Sequence, residues 1–242
     1  MKVDELSVIP YSIPFSKKFR TSKNEYNLRE GIWIQIYSNK FVGLGETAPL
    51  FGFSSESLKE VHYALEGFRQ SVYGLDFDPD ELFELIEIHS DTLPSLKFGL
   101  ETALNDILSK QNNIPLAKYL NINASNEIDV NGISGVHNPN SGFKIIKVKV
   151  GFRNLFDEIE NIENLSQVFG DRVSFRLDCN GAYDLSQSIR FCKQMEPYNI
   201  DYIEQPMPPS ELEDLAELRY HTKIPIALDE SLFDLGSAEK II

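Results

Sequence analysis

The sequence predicts an α/β protein in two parts, an α+β domain over residues 1–120 and a domain of βα units over residues 121–242. Two observations support this division. The first part places its strand-like segments before its helical ones, an order typical of α+β domains. The second part alternates between short apolar strands and helical stretches, which is typical of a parallel sheet with helical crossovers.

The first part contains segments for three strands and three helices. The strands are predicted over residues 2–13, 31–37 and 41–46, the last two joined by a short turn, as in an antiparallel meander. A helix is predicted to begin near residues 54–57, capped either by Ser54 with Ser57 or by Ser55 with the acids behind it. Two further helices are predicted over residues 79–89 and 95–110.

The second part contains segments for five strands and three helices. The strands are predicted over residues 128–133, 144–150, 173–178, 200–204 and 224–228, and the helices over 154–169, 184–196 and 210–221. The connection between the first two strands is short and carries Gly135, Pro139 and Gly142. We therefore predict that residues 135–142 are not helical.

The bulk composition narrows the class of protein. Hydrophobic residues make up 42% and charged residues 25%, as in soluble globular proteins. A net charge of −14 argues against nucleic acid, and no apolar run approaches the roughly 18 residues of a membrane span. Without a signal-peptide pattern, and with only Cys179 and Cys192, we expect a cytoplasmic protein with reduced core cysteines. The sequence carries no signal for an oligomeric state.

Two lysines share one face of the predicted strand 144–150. Alternation places Ile146 and Val148 on one face and Lys147 and Lys149 on the other. Strands of a parallel sheet are normally covered on both faces and apolar, so two lysines there call for partners. The alternative is an exposed edge strand with solvated lysines.

Three later strands end in acidic residues. Asp178, Glu204 and Asp229 follow Lys149 at intervals of about 25 to 30 residues, roughly one βα unit each. Active sites of βα barrels are built at the carboxyl ends of the strands. A single such acid is usually a helix cap, which is an alternative for Asp184 and Glu230. A lysine and three acids at consecutive strand ends instead predict a site.

Converging carboxylates repel one another unless a cation lies between them. Mg²⁺ prefers oxygen ligands and keeps positions for water and substrate. No His or Cys occurs at these strand ends, which disfavours zinc, and we interpret the histidines as ordinary surface or core residues: His62, His89, His137 and His221. A lysine beside a cation and a second lysine has its ammonium form disfavoured, so it can act as a general base toward the α-proton of a carboxylate.

These residues fall into motifs that resemble the muconate-lactonizing subgroup of the enolase superfamily. The motifs are Lys147-x-Lys149, Asp178-x-Asn180, Glu204-Gln205-Pro206 and Asp229-Glu230-Ser231. The resemblance implies an α+β capping domain before a modified (β/α) barrel. It implies Lys149 as the catalytic acid/base, supported electrostatically by Lys147, and Mg²⁺ bound by Asp178, Glu204 and Asp229.

Two stretches of the first part are most similar to o-succinylbenzoate synthases. They are Gly43-Leu44-Gly45-Glu46-Thr47-Ala48-Pro49-Leu50-Phe51-Gly52-Phe53-Ser54 and Pro94-Ser95-Leu96-Lys97-Phe98-Gly99-Leu100. The resemblance implies a loop that covers the active site and dehydration of a succinyl-hydroxycyclohexadiene-carboxylate to o-succinylbenzoate, in menaquinone synthesis. We expect Phe51, Arg176 and Asn180 to contact this small carboxylate substrate.

The sequence departs from this family at its end. The family carries a further lysine on the strand after the one that leads to Asp229, whereas this chain ends at Ile242. We therefore expect a barrel that is incomplete at the C-terminus and little activity of the 242-residue chain. The alternatives are a related N-acylamino-acid racemase, dipeptide epimerase or muconate cycloisomerase, or an inactive fragment that at most binds a metal or a partner.

Overall fold

The chain forms two compact units. In the computed structural model, residues 1–20, 25–133, 142–232 and 235–241 are described. The first unit comprises Met1–Asn126 and the second Glu127–Ile242. The first carries an antiparallel sheet with helices and the second a parallel sheet with helices, which confirms the predicted α/β class.

The first unit contains a three-stranded antiparallel sheet in the order β1-β2-β3. Its strands are β1 (Glu5–Arg20), β2 (Glu25–Ser38) and β3 (Phe41–Thr47), and its helices are α1 (Leu58–Val72), α2 (Pro79–Ser90), α3 (Pro94–Gln111) and α4 (Leu116–Leu120). The predicted strands and helices are confirmed in place. The structure extends the first two strands beyond their predicted bounds and adds α4, a single short turn of helix.

Helix α3 packs unusually close to β3, and glycines permit this approach. A Cβ atom on Gly43 would lie 2.1 Å from the carbonyl oxygen of Ala103, and one on Gly45 would lie 1.9 Å from that of Gly99. Both distances are far inside van der Waals contact, so any other residue at these positions would force the helix away. The Gly43-x-Gly45 pattern therefore has a packing reason within this unit.

Helix α1 begins at a capping box that includes Ser57, one of the predicted serines, but neither Ser54 nor Ser55. The N-cap is Ser57, whose hydroxyl accepts a hydrogen bond from the Glu60 backbone N–H at 3.3 Å, while the Glu60 carboxylate accepts one from the Ser57 N–H at 2.8 Å. Ser54 instead accepts from the N–H of Leu50, and Ser55 donates to the carboxylate of Glu56. The three-residue spacing from Ser57 to Glu60 decides among the serines, because it alone satisfies both end groups.

The second unit contains a five-stranded parallel sheet in the order β4-β5-β6-β7-β8. Its strands are β4 (Gly132–Ile133), β5 (Ile145–Lys149), β6 (Ser174–Asp178), β7 (Ile200–Glu204) and β8 (Ile226–Ala227), and its helices are α5 (Leu155–Phe169), α6 (Leu185–Met195), α7 (Leu212–Leu218) and α8 (Leu235–Ile241). All five predicted strands are found, although β4 and β8 are only two residues long. Of the segment 135–142 that we predict to be non-helical, residues 135–141 lie outside the described residues.

The two faces of the parallel sheet differ in chemistry. Ile146 and Val148 of β5 and Phe175 and Leu177 of β6 are fully buried in one apolar cluster with residues of the neighbouring helices. The alternate residues of β5, Lys147 and Lys149, therefore lie on the opposite face, as strand alternation predicts. Polar groups collect on that second face. No helix among the described residues is long and apolar enough to cross a membrane.

Both cysteines are buried and free. Cys179 is 1% exposed and Cys192 is 0% exposed, and burial raises the pKa of the Cys179 thiol and raises that of Cys192 to about 11. The thiolate is the reactive form, so both thiols are expected to react with Ellman's reagent at about pH 8 at least ~100-fold more slowly than free cysteine. Unfolding in urea should release two thiols per chain. Prompt reaction of either cysteine in native buffer would contradict this burial.

Candidate active site

Lys149, Asp178 and Glu204 lie side by side at the carboxyl ends of three adjacent strands. Lys149 is the register partner of Asp178, and Asp178 is the register partner of Glu204. In a parallel sheet the carboxyl ends meet at one edge, so the regular spacing in the sequence becomes adjacency in space. Three of the four residues that the sequence places at consecutive strand ends are thus brought together.

Lys147 binds two buried carboxylates. Its Nζ lies 3.0 Å from Asp178 Oδ2 and 2.8 and 2.9 Å from the two carboxylate oxygens of Glu204. Asp178 is 2% exposed and Glu204 is 8% exposed. Burial by itself lowers the pKa of Lys147, but hydrogen bonds to Glu204 and Asp178 outweigh burial and raise it. The side chain is therefore a fixed positive charge between two buried negative ones.

Lys149 has a more open environment. Its side chain is 60% exposed, and its Nζ donates a hydrogen bond to Asn180 Oδ1 at 2.9 Å while lying 3.9 Å from Asp178 Oδ2. Asn180 adopts a φ of +46°, and its amide nitrogen donates to Glu230 Oε1 at 2.9 Å. The amine of Lys149 thus lies at an accessible strand end with one oriented hydrogen bond, as an acid/base that meets a substrate requires.

Asp229 follows β8 and belongs to the same electrostatic cluster. Its backbone N–H donates to the side-chain oxygen of Gln205 at 3.0 Å. Burial raises the pKa of Asp229, and the negative charges of Glu230 and Asp178 raise it further, against the opposing effects of Lys147 and Lys149. The carboxyl group therefore experiences the field of both lysines and of Asp178.

The donor set has the chemistry of a magnesium site. Asp178, Glu204 and Asp229 offer only carboxylate oxygens, the ligands that hard divalent cations prefer. Among the described residues, no three acidic, histidine or cysteine side chains are gathered closely enough to hold a metal ion. Lys147 lies between two of the three acids instead. The assignment of these acids as metal ligands stays a prediction that fits their chemistry and strand positions.

Two residues that we expect to contact substrate have other surroundings. Arg176 donates from Nε to Asp201 Oδ2 at 2.8 Å and from Nη1 to Asn131 Oδ1 at 3.2 Å, and its guanidinium lies over the Tyr202 ring. Contact between Arg176 and a substrate would require it to give up part of this pairing. Phe51 lies in the first unit, in a turn, with 81% of its surface exposed. Both assignments stay predictions.

Glu158 holds the loop that follows Lys149, a role that we did not predict. Its Oε1 accepts hydrogen bonds from the backbone N–H groups of Gly151, Phe152 and Arg153, at 3.0 to 3.1 Å. Glu158 is 2% exposed although it is an acid. The sequence does contain a signal, because Glu158 occupies a position of the apolar stripe Leu155, Ile159 and Ile162 in α5. An acid in such a stripe is buried and needs donors.

Known proteins match both parts of the chain. The family described as "Enolase C-terminal domain-like" matches residues 138–242, and the family described as "MenC, N-terminal domain" matches residues 3–107. An "L-amino acid-D/L-Glu epimerase" of Francisella philomiragia is 26% identical over 100% of this chain and 72% of its own length. A "Chloromuconate cycloisomerase" of Pseudomonas putida is 24% identical over 98% of this chain and 69% of its own length.

Solved structures show the same fold. A dipeptide epimerase from Enterococcus faecalis V583, complexed with Mg and the dipeptide L-Leu-L-Tyr, matches with a TM-score of 0.85 at 24% identity and covers 100% of this chain and 71% of its own. The expected enolase-type fold is thereby confirmed, and the chain is shorter than these relatives. Their names are those of epimerases and a cycloisomerase, so they do not single out an o-succinylbenzoate synthase.

Proposed function

We propose that the chain is a member of the enolase superfamily and an Mg²⁺-dependent enzyme that removes the proton α to a carboxylate of a small-molecule substrate. Matches of one family to residues 138–242 and of another to residues 3–107 support this proposal. One observation carries the proposal. The exposed amine of Lys149 lies next to Asp178 and Asn180, at the strand ends where Glu204 also lies. This arrangement combines a base with the carboxylates that a cation would bind.

Asp178, Glu204 and Asp229 are the residues that would hold Mg²⁺. When bound, Mg²⁺ supplies positive charge that acidifies the α-proton of a substrate carboxylate. The three acids repel one another, so they favour a divalent cation over the free state. Structural relatives complexed with Mg support this choice of metal.

The two lysines have separate roles in this proposal. Lys149, as a neutral amine, takes the α-proton, and its hydrogen bond to Asn180 orients the nitrogen. Lys147 remains charged, because two carboxylates hold its ammonium group, and it adds a fixed positive potential on the same strand face. One lysine moves a proton while the other only supplies charge.

For the reaction itself we propose dehydration to o-succinylbenzoate, the step of a carbon–oxygen lyase in menaquinone synthesis in the cytoplasm. Lys149 would take the α-proton and then return it to the leaving hydroxyl group. The support comes from residues 43–54 and 94–100, which resemble o-succinylbenzoate synthases and lie within the span that matches the family described as "MenC, N-terminal domain". Within residues 43–54, Gly43 and Gly45 are explained by packing against α3, so residues 46–54 provide the main support from this stretch.

Epimerisation of a dipeptide or an N-acylamino acid is the second candidate. It is favoured by the names of the relatives, several of which are epimerases of dipeptides. The first half of the reaction is the same, since a base removes the proton α to a carbonyl group. The second half differs, because an epimerase returns a proton to the carbon whereas a dehydratase protonates the hydroxyl group, which then leaves as water.

The test compares substrates in D₂O with Mg²⁺ and with EDTA. The purified chain is incubated with the dehydration substrate, with N-succinylamino acids and with dipeptides, while absorbance follows o-succinylbenzoate and NMR follows α-proton exchange. Because little activity is expected of the 242-residue chain, o-succinylbenzoate is expected to form only slowly from the first substrate, and EDTA should lower that slow rate by at least about 100-fold. Exchange with dipeptides alone would favour the second candidate. If the α-proton exchanges at the same rate with EDTA as with Mg²⁺, the proposed metal dependence is wrong.

A further inference from the structure

Gln205 is a buried residue at the point where the loops of the candidate site meet. Its side chain is 0% exposed, and it directly follows Glu204 at the end of β7. We infer that Gln205 is a positioning residue that fixes residues 229–231 against the end of β7 and thereby holds Asp229 within the field of Asp178 for metal binding. The inference rests on the proposed function, which gives Asp229 its role as a ligand.

The side-chain amide of Gln205 uses all of its donors and acceptor sites in hydrogen bonds to neighbouring loops. Its oxygen accepts from the backbone N–H groups of Asp229 at 3.0 Å and Ser231 at 3.1 Å. Its nitrogen donates to the Met207 carbonyl at 2.8 Å and to the Ser231 hydroxyl at 2.8 Å. An amide offers two donors and two acceptor sites, so no capacity is left for other partners.

The backbone of Gln205 extends the same connection to the other loops. Its N–H donates to the Ala227 carbonyl at 2.9 Å, and its carbonyl accepts from the Gly181 N–H at 2.8 Å. Gly181 belongs to the turn that follows Asp178, so one residue joins the chain segments after β6, β7 and β8. Gln205 also has a φ of +38°, a region that residues other than glycine seldom adopt. Such a conformation persists where the surrounding contacts impose it.

The charge pattern explains why this segment needs a fixed anchor. Asp229 carries its carboxylate next to that of Glu230 and within the field of Asp178, and like charges push the segment outward. Two backbone bonds to Gln205 oppose that motion at Asp229 and Ser231. A residue of the same size without the amide would leave two N–H groups in a buried region without an acceptor.

The experiment compares Gln205→Met and Gln205→Asn with Leu218→Ala, a control that removes apolar packing in α7 and leaves residues 205 and 229–231 unchanged in sequence. Leu218 is fully buried and belongs to the apolar cluster that covers the Phe175 face of the parallel sheet. Calorimetry measures Mg²⁺ affinity, and hydrogen exchange measures amide protection at Asp229 and Ser231 in the metal-free chain. Residues that orient a metal ligand typically contribute 10–100-fold to affinity, so both Gln205 variants are expected to bind Mg²⁺ about 10–100-fold more weakly.

The outcomes separate the inference from the proposed function. Gln205→Asn keeps the amide but shortens it, so it remains informative should Gln205→Met fail to fold. Leu218→Ala should lose stability, keep its Mg²⁺ affinity within about threefold and keep protection at residues 229 and 231. Unchanged Mg²⁺ affinity in both Gln205 variants, or an equal loss in Leu218→Ala, would overturn the inference. A complete lack of Mg²⁺ binding by the unsubstituted chain would instead overturn the proposed function, whatever the exchange data show.

Discussion

Replacement of Lys149 by alanine is expected to lower exchange of the substrate α-proton with solvent by about 10²–10⁴-fold, the contribution typical of a general base. The side chain is 60% exposed, and its amine donates a hydrogen bond of 2.9 Å to Asn180 Oδ1. Lys147, the other lysine of this strand face, is held between Asp178 and Glu204 and is therefore not free to replace the amine of Lys149. Exchange in D₂O followed by NMR, with saturating Mg²⁺, measures the effect.

Lys144→Ala is the matched control for this substitution. Lys144 is an exposed lysine that immediately precedes β5, at the opposite end of the strand from Lys149. Its removal should leave exchange unchanged. Substrate affinity of the Lys149→Ala chain should remain measurable, because the carboxylates that bind the cation are intact. If exchange persists in Lys149→Ala at the rate of the control, the base has been misassigned.

Replacement of Lys147 by methionine is expected to destabilise the folded chain by about 3 kcal/mol, the lower end of the range for removing one partner of a buried ion pair. Methionine preserves most of the volume but leaves Asp178 and Glu204 buried without their common cation. The lower end applies because the Lys147 side chain is 26% exposed, so water partly compensates. Urea unfolding in EDTA measures the free energy, and Lys144→Met serves as the control.

The ion pairs of Lys147 with Asp178 and Glu204 also predict that the free energy of unfolding depends on pH. Hydrogen bonds to Glu204 and Asp178 outweigh the effect of burial and raise the pKa of Lys147 above its ordinary value of 10.5. When folding raises the pKa of a lysine, the resulting stabilisation is complete at pH values below the pKa in the unfolded state. It is lost as the pH rises through the pKa in the folded state. The difference in free energy of unfolding between the unsubstituted chain and Lys147→Met should therefore be constant from about pH 7 to 9 and decrease above 10.5. A difference that already shrinks near neutral pH would contradict this pairing.

Several features of the site follow from the sequence because they depend on local periodicity. Strand alternation places Lys147 and Lys149 on the face opposite Ile146 and Val148, whatever the rest of the chain does. The interval of one βα unit between charged strand ends predicts adjacency, and the register of Lys149 with Asp178 and Glu204 confirms it. These are properties of single strands and of their order, and both can be derived from one sequence.

The reason for two glycines in the first unit became clear only from the tertiary structure. The pair Gly43 and Gly45 forms part of a family-like motif, yet its physical reason is the carbonyl groups of α3, at Ala103 and Gly99. These groups lie more than fifty residues away in the sequence. A local pattern contains no information on how closely a distant helix approaches a strand.

The partners of the charged residues were also decided by tertiary structure, since a side chain chooses among groups from several strands. The register between β6 and β7 shifts between Phe175 and Arg176, so the residue pairing of these strands does not follow a regular alignment. The side chain of Arg176 pairs with Asp201. Likewise, the sequence contains Gln205 within a motif, but only the folded chain brings Asp229 and Ser231 onto its amide. Periodicity thus determined which face and which strand end each charged group occupies, whereas contacts between distant segments decided what each group binds, because hydrogen bonds act over a few ångströms that only the folded chain defines.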